Sequence, residues 1–362
     1  MNNKPAIDYS SRVLLLQEML RRKRLDGLLV TDINNVRYMT GFSGTSGFAL
    51  ITGTKAFFVT DFRYRDQAAE EVKGWIIIME KGKRIRTIQE LSRRNSISRL
   101  GFESSVSYNF YEKLSRTGMG LHPLEQVVEK LRARKDKFEI NAIKEAVRRA
   151  EAAFLDVKPY IKCGTRERSV ALRLEESLKK RGCRRIPFDV IVASGPNSAM
   201  PHARQTEKKL IKGDLLVIDW GGEADGYFSD MTRTFLMKGG TQYGRKKEIY
   251  ETVLEANRKA IRSVCPGLES RQTDEAARAL IRKAGYGEFF GHGTGHGVGL
   301  QVHEAPRITW STSEIIMEDM VFTIEPGIYI PGLGGVRIED MVVVGKKKAG
   351  TLTSLSKELE SL

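Results

Sequence analysis

Asp219 and Asp230 bracket a stretch rich in turn residues, Trp220-Gly221-Gly222-Glu223-Ala224-Asp225-Gly226-Tyr227-Phe228-Ser229. Asp219 ends the β-rich run 215–218 and Asp230 opens the run 231–237. Two such runs around a Gly/Asp/Ser turn predict a β-hairpin, which folds the two carboxylates toward each other. Like charges that close are costly unless something positive sits between them, and a divalent metal ion is the usual partner. The alternative is that both aspartates are turn residues facing water.

Five histidines are present, His122, His202, His292, His296 and His303, and three of them fall within residues 292–303. The segment Gly291-His292-Gly293-Thr294-Gly295-His296-Gly297 holds too many glycines for a helix. This argues against a helical zinc motif of the His-Glu-x-x-His kind, which also needs a glutamate between its histidines. Glycine on either side of His296 lets the backbone pass close to a ligand or to a neighbouring strand. Glu325 ends the apolar run Val321-Phe322-Thr323-Ile324, and Glu339 follows Gly335-Val336-Arg337-Ile338. Each is set among β-branched residues where a charge is unfavourable to bury; the alternative for either is a strand end pointing to solvent. Four carboxylates and a histidine make an oxygen-rich donor set that suits Mn²⁺, Co²⁺, Fe²⁺ or catalytic Zn²⁺. So many carboxylates favour two ions with bridging ligands, about 3.5–4 Å apart. No nucleotide cradle accompanies them. The glycine run lacks G-x-G-x-x-G spacing, and Gly239 to Gly244 continues with Arg245-Lys246 rather than Lys-Ser/Thr.

The elements that must position these groups divide the chain in two. Leucines at helical spacing over 9–25 precede strands at 27–31, 47–51 and 56–60. Helical segments near 64–73, 84–94 and 107–116 then alternate with strands at 75–79 and 99–102, the pattern of an α/β domain. The charged run 129–137 marks the boundary, giving domains 1–130 and 131–362. The second domain reads as α+β. Helices at 137–161 and 165–181 precede strands at 189–193 and 215–219; helices at 244–263 and 270–284 precede the glycine-rich stretch and the strand-rich region 320–344. Two helices followed by carboxylate-bearing strands thus occur twice.

Composition limits the alternatives. The 362 residues are 41% apolar, enough for two cores. No apolar run approaches the roughly 18–20 residues of a membrane span, and residues 1–5 show no apolar leader. Cys163, Cys183 and Cys265 are odd in number and far apart, which gives no disulfide framework and points to a reducing cytoplasm. The formal charge of +15 is dispersed; its densest run, Arg21-Arg22-Lys23-Arg24, closes an amphipathic helix, and no nucleic-acid motif accompanies it.

Taken together, Asp219, Asp230, His296, Glu325 and Glu339 resemble the five ligands of the pita-bread metallopeptidases. That family includes methionine aminopeptidase, aminopeptidase P and prolidase, with creatinase as a non-metal relative. The motifs carrying the resemblance occur in the family's order. They are Ala193-Ser194-Gly195-Pro196-Asn197-Ser198-Ala199-Met200-Pro201-His202, the hairpin 217–234, Gly295-His296-Gly297-Val298-Gly299 with Val302-His303-Glu304, Ile324-Glu325-Pro326-Gly327 and Gly335-Val336-Arg337-Ile338-Glu339-Asp340. The first domain is similar to the creatinase/prolidase N-terminal domain, which sets methionine aminopeptidase aside. Gly41-Phe42-Ser43-Gly44-Thr45-Ser46-Gly47 and Thr60-Asp61-Phe62-Arg63-Tyr64 look more like aminopeptidase P than prolidase.

The resemblance implies an α/β N-terminal domain followed by an α+β pita-bread catalytic domain. It implies a dinuclear site, with Mn²⁺ the first choice of ion and Co²⁺, Zn²⁺ or Fe²⁺ the others. Asp219 would chelate one ion, His296 and Glu325 the other, and Asp230 and Glu339 would bridge. Glu325 would shuttle a proton, His303 would donate to the developing oxyanion, and His202 and His292 would line the substrate pocket. Arg337 would orient Glu339 or contact substrate. The implied activity is removal of the residue before an N-terminal Xaa-Pro bond, with a dipeptide-restricted prolidase as the alternative, and a creatinase-like hydrolase or a non-catalytic binding protein as more distant ones. The implied partners are peptides with proline second and a second copy of the chain; no nucleic acid or membrane is expected.

Overall fold

The computed structural model describes residues 7–362; residues 1–5, read above for a leader, lie outside the described residues. Two compact units divide between Arg132 and Ala133.

The first unit opens with helix α1 (Tyr9–Lys23), capped by Asp8, whose carboxylate accepts from the Ser10 and Ser11 amides. There follow β1 (Gly27–Val30), α2 (Ile33–Thr40), β2 (Phe48–Thr52), β3 (Ala56–Thr60), α3 (Arg65–Glu71), β4 (Ile76–Met79), α4 (Arg84–Arg94), β5 (Arg99–Glu103), α5 (Tyr108–Ser115) and β6 (Gly120–Leu124). The strands form one mixed sheet in the order β4-β3-β2-β1-β5-β6. Leu29, Phe48, Leu50, Ile88, Leu100 and Leu114 share its core. Helix α2 and strand β6 were not expected from the sequence, and the charged run taken as a boundary is itself helical as far as Ala133 (α6, Val127–Ala133).

The second unit begins with α7 (Lys137–Val157), started by a capping box in which Asp136 and Glu139 satisfy each other's backbone amides. The helix stops short of the expected residue 161. A 3₁₀ turn, Lys158–Tyr160, follows, where Pro159 has no amide to continue the ladder. Helix α8 (Glu167–Lys180) comes next. Strands β7 (Ile191–Ser194), β8 (Leu215–Trp220) and β11 (Met231–Leu236) form a sheet ordered β11-β8-β7, and a small pair, β9 (Glu223–Ala224) and β10 (Tyr227–Phe228), extends the hairpin tip. The β8–β11 ladder is antiparallel, running from Leu215↔Leu236 to Trp220↔Met231. Helix α7 covers it: Trp220 donates through Nε1 to the Ala150 carbonyl at 3.0 Å and stacks on Phe154 at 4.8 Å.

Helices α9 (Tyr243–Ser263) and α10 (Ser270–Lys283) precede the second sheet. That sheet is ordered β13-β12-β14-β17-β18, from β12 (Gly295–Gly297), β13 (Glu304–Ile308), β14 (Val321–Ile324), β17 (Asp340–Val344) and β18 (Ala349–Thr351). A separate pair, β15 (Gly327–Ile330) and β16 (Gly334–Arg337), leaves it between β14 and β17. One face of α9, carrying Ile249, Val253, Ala256 and Ala260 at helical spacing, is buried with Phe322, Ile324, Val336 and Val342. Hydrogen bonds from a backbone amide and a side-chain hydroxyl join the two halves of the unit. The Glu339 amide donates to the Thr232 carbonyl at 3.1 Å, and Thr234 Oγ1 donates to the Arg337 carbonyl at 2.8 Å. Among the described residues no helix is long and apolar enough to cross a membrane.

Candidate metal centre

Each carboxylate singled out in the sequence stands where a strand begins or ends. Asp219 lies on β8 opposite Thr232, and Asp230 immediately precedes β11. His296 is the middle residue of β12; Glu325 follows β14, and Glu339 is the second of the two residues between β16 and β17. One donor atom from each of Asp230, His296 and Glu339 lies within 4.8 Å of the others. His296 Nε2 is 3.6 Å from Asp230 Oδ2 and 3.4 Å from Glu325 Oε1. Asp219 and Glu325 line the same cleft, of about 600 Å³, as those three. His202, His292, His303 and Arg337 line it too, while His122 lies on β6 in the other unit.

The glycines around His296 are required by neighbouring strands. A Cβ on Gly295 would stand 1.9 Å from the Thr323 carbonyl oxygen, and one on Gly297 would stand 2.1 Å from that of Ala305. The chain is therefore pressed between β14 and β13, and this places the imidazole. Its Nδ1 lies 3.2 Å from the Gly297 carbonyl. A carbonyl only accepts, so Nδ1 carries the proton and the Nε2 lone pair faces Asp230 and Glu325. Burial, the main cause, keeps His296 below the usual histidine range and so neutral at pH 7.

A neutral lone pair aimed at carboxylates has no donor to offer them. Asp219 Oδ1 and Asp230 Oδ1 are buried without a hydrogen-bond partner. Burial first, and the charges of Glu339, Asp219 and Glu325 after it, push Asp230 well above the ordinary carboxylate range. Glu339 is raised in the same way, by burial and then by Glu325 and Asp219, and Glu325 mainly by burial. Four carboxylates face one another with Arg337 the cation bonded among them. The residues fit a divalent metal: hard oxygen donors, one imidazole whose second nitrogen is held by a carbonyl, and orphaned acceptors that a cation would satisfy.

A pH dependence follows. A carboxyl whose native pKa exceeds its unfolded value of about 4 binds its proton more tightly when folded. Its contribution to metal-free stability is fully present below pH about 4 and is lost as pH rises through the raised native value. Metal binding needs the same groups ionised. The rise in Tm on adding saturating Mn²⁺ to chelator-treated protein is therefore expected to be larger at pH 7.5 than at pH 5. A rise equal or larger at pH 5 would show that these carboxylates are not the metal's ligands.

Two polar groups that sequence reasoning missed, Thr232 and Tyr329, bond to the site residues alongside Arg337 and His292. Thr232 Oγ1 donates to Glu339 Oε2 at 2.7 Å. Arg337 turns toward Asp219 rather than Glu339: its Nη2 meets Asp219 Oδ2 at 2.5 Å, its Nε donates to Thr232 Oγ1 at 3.0 Å and its Nη1 to Tyr329 Oη at 3.0 Å. His292 Nδ1 lies 2.7 Å from the Gly293 carbonyl and Nε2 3.0 Å from Tyr329 Oη. The carbonyl again fixes the tautomer, so Tyr329 donates its hydroxyl proton to His292. The available signal was Tyr329 itself, a tyrosine in an apolar strand whose hydroxyl must find a partner. His303 packs edge-on against His296, ring centres 4.3 Å apart, and burial with the His296 charge lowers its pKa to about 4. It is thus neutral at pH 7, with one ring N–H to donate.

The sequence profile of metallopeptidase family M24 matches residues 141–346, and that of the creatinase/prolidase N-terminal domain matches residues 12–134. An uncharacterized peptidase of Bacillus subtilis is 42% identical over 347 residues, 95% of this chain and 98% of that protein. Among solved structures, a Xaa-Pro dipeptidase from Bacillus anthracis is 38% identical with a TM-score of 0.95, covering 98% of this chain and 100% of that one. An X-Pro aminopeptidase from Thermotoga maritima is 33% identical with a TM-score of 0.87, covering 97% and 99%.

Proposed function

The chain belongs to metallopeptidase family M24, and on that premise we propose that it is a metal-dependent exopeptidase hydrolysing the Xaa-Pro bond at the N-terminus of its substrates. The observation that carries this is the convergence of Asp230, His296 and Glu339 in a cleft also lined by Asp219, Glu325, His202 and His303. Asp219, Asp230, His296, Glu325 and Glu339 are the proposed ligands of two divalent ions. Mn²⁺ is the first choice because the set is four carboxylates to one imidazole. Such ions supply Lewis-acid polarisation of the scissile carbonyl and lower the pKa of a water toward neutrality.

The chain's own residues do the rest. Arg337 keeps one oxygen of Asp219 fixed, and Thr232 does the same for Glu339. Glu325, held at 3.3 Å from Thr323 Oγ1 at the edge of the cluster, is the proposed proton shuttle. The leaving nitrogen of an Xaa-Pro bond is a secondary amine that must be protonated. Neutral His303 presents an N–H to the developing oxyanion. His202 is exposed in the cleft, and Phe188 and Ile191 give the cleft apolar surface of the kind a proline ring needs.

Two readings of substrate length have support. The motifs at residues 41–47 and 60–64 favour longer peptides. The Bacillus anthracis relative, named a Xaa-Pro dipeptidase, favours dipeptides, as do Arg204 and Arg307 in the cleft lining, where a dipeptide's C-terminal carboxylate could be received. A homodimer, from the family resemblance, and a cytoplasmic setting, from three free cysteines, complete the proposal. Metal analysis, followed by assay of an Ala-Pro peptide with creatine as control, tests it. Hydrolysis should stop after chelation and return with Mn²⁺, and creatine should stay intact. Undiminished hydrolysis after complete metal removal would favour a metal-independent reaction.

A further inference from the structure

The carboxylates Glu325 and Glu339 leave their strands at the same level of the second sheet. The β14–β17 ladder ends at the pair Ile324↔Asp340, and the next residue outward on each side is one of the two glutamates. One side chain spans the opening. Asn257, fully buried on α9, donates through Nδ2 to the Ile324 carbonyl at 2.9 Å and to the Ile338 carbonyl at 3.2 Å. These are the peptide groups immediately before Glu325 and Glu339. The other end of the amide is fixed as well, because Lys357 Nζ donates to Asn257 Oδ1 at 2.9 Å and to Asp340 Oδ2 at 2.6 Å. An ammonium cannot accept a hydrogen bond, so it dictates which end of the amide is oxygen and leaves both N–H groups for the two carbonyls.

The same tail carries more of the clamp. Asp340 Oδ1 accepts from Thr353 Oγ1 at 2.6 Å and from Arg233 Nη2 at 2.9 Å. Arg233, itself buried, donates through Nη1 to the Glu339 carbonyl at 2.6 Å and through Nη2 to the Leu355 carbonyl at 2.9 Å. The peptide bonds on both sides of Glu339 are thereby tied to the C-terminal segment.

We propose that Asn257 is a positioning residue for metal binding: its amide, oriented by Lys357, sets the separation of Glu325 and Glu339. The proposal rests on the ligand assignment above. Loss of a hydrogen-bonding partner behind metal ligands typically lowers metal affinity about 10–100-fold. A packing role alone would lower stability and leave the affinity of the folded protein unchanged.

The experiment is calorimetric titration of Mn²⁺ into chelator-treated full-length protein, alongside Tm of the metal-free form. Four proteins are compared: wild type, Asn257→Asp, Lys357→Met and Val253→Ala. The aspartate keeps the shape of Asn257 but turns an acceptor toward two carbonyl oxygens. Val253 lies on the same helix, buried one turn away, and touches the stability of this core without the amide. Asn257→Asp should bind Mn²⁺ about 10–100-fold more weakly, Lys357→Met should shift in the same direction by less, and Val253→Ala should bind within about threefold of wild type despite its lower Tm. A folded Asn257→Asp protein that binds Mn²⁺ as wild type does would overturn the proposal. If Asn257→Asp does not fold, Lys357→Met decides on the same criterion. A wild-type protein that takes up no Mn²⁺ overturns the ligand assignment itself, before any variant is compared.

Discussion

Replacing Glu339 with alanine should leave a folded protein that neither retains metal nor turns over substrate. The proposed role of Glu339 is to bridge, so its loss removes a donor from both ions at once. Its side chain is 2% exposed and is raised by burial among other carboxylates. Removing it therefore relieves repulsion in the metal-free state even as it opens a small cavity. The expected result is a metal-free Tm close to that of wild type, no rise in Tm with Mn²⁺, and a fall in kcat/KM of at least about 10³-fold, beyond what loss of an outer partner costs. Metal analysis and steady-state kinetics on the same preparation check this. A variant that holds two ions per chain and turns over normally would remove Glu339 from the site.

His303→Ala should separate rate from metal. His303 lies outside the proposed ligand set and touches His296 edge-on, so its loss should leave fold and metal content intact. If its neutral ring donates to the oxyanion, turnover should drop about 10²–10³-fold, the usual consequence of deleting one such donor. The effect should fall on kcat, because the hydrogen bond strengthens only as charge develops. Parallel loss of metal and rate would instead make His303 a ligand or a residue needed for folding.

Local chemistry singled out Asp219, Asp230 and His296 as candidate donors, and the family resemblance completed the candidate set with Glu325 and Glu339. Turn residues between two β-rich runs announced the hairpin that carries Asp219 and Asp230. Glycines excluded a helix around His296, and the structure resolves their other meaning in favour of close strand neighbours. The supporting groups were not legible, because their partners are remote in the chain. Thr232 meets Glu339 across 107 positions, Asn257 meets Ile338 across 81, and Arg337 meets Asp219 across 118. The missed elements have similar causes. Helix α2 is short and carries a buried polar residue, Asn35, which is satisfied by Glu103, Glu129 and Arg132. Its buried apolar residues, Val36, Tyr38 and Met39, are too few to show a helical period in the sequence. Strand β6 contains Pro123, which argues against a strand except at a sheet edge, and an edge is where it lies.

The most direct measurement is release of the first residue from a peptide series that varies only the second position and the length, with chelator-treated protein reloaded with Mn²⁺ or Co²⁺. Ala-Pro, Ala-Pro-Ala and a longer Ala-Pro peptide are set against the same lengths with alanine second. The proline-second peptides should be hydrolysed and their alanine counterparts little, with no hydrolysis in either set before metal is restored. Turnover confined to Ala-Pro would select the dipeptidase reading, and turnover extending to the longer peptides the aminopeptidase reading. Equal turnover of the alanine-second and proline-second peptides would contradict both.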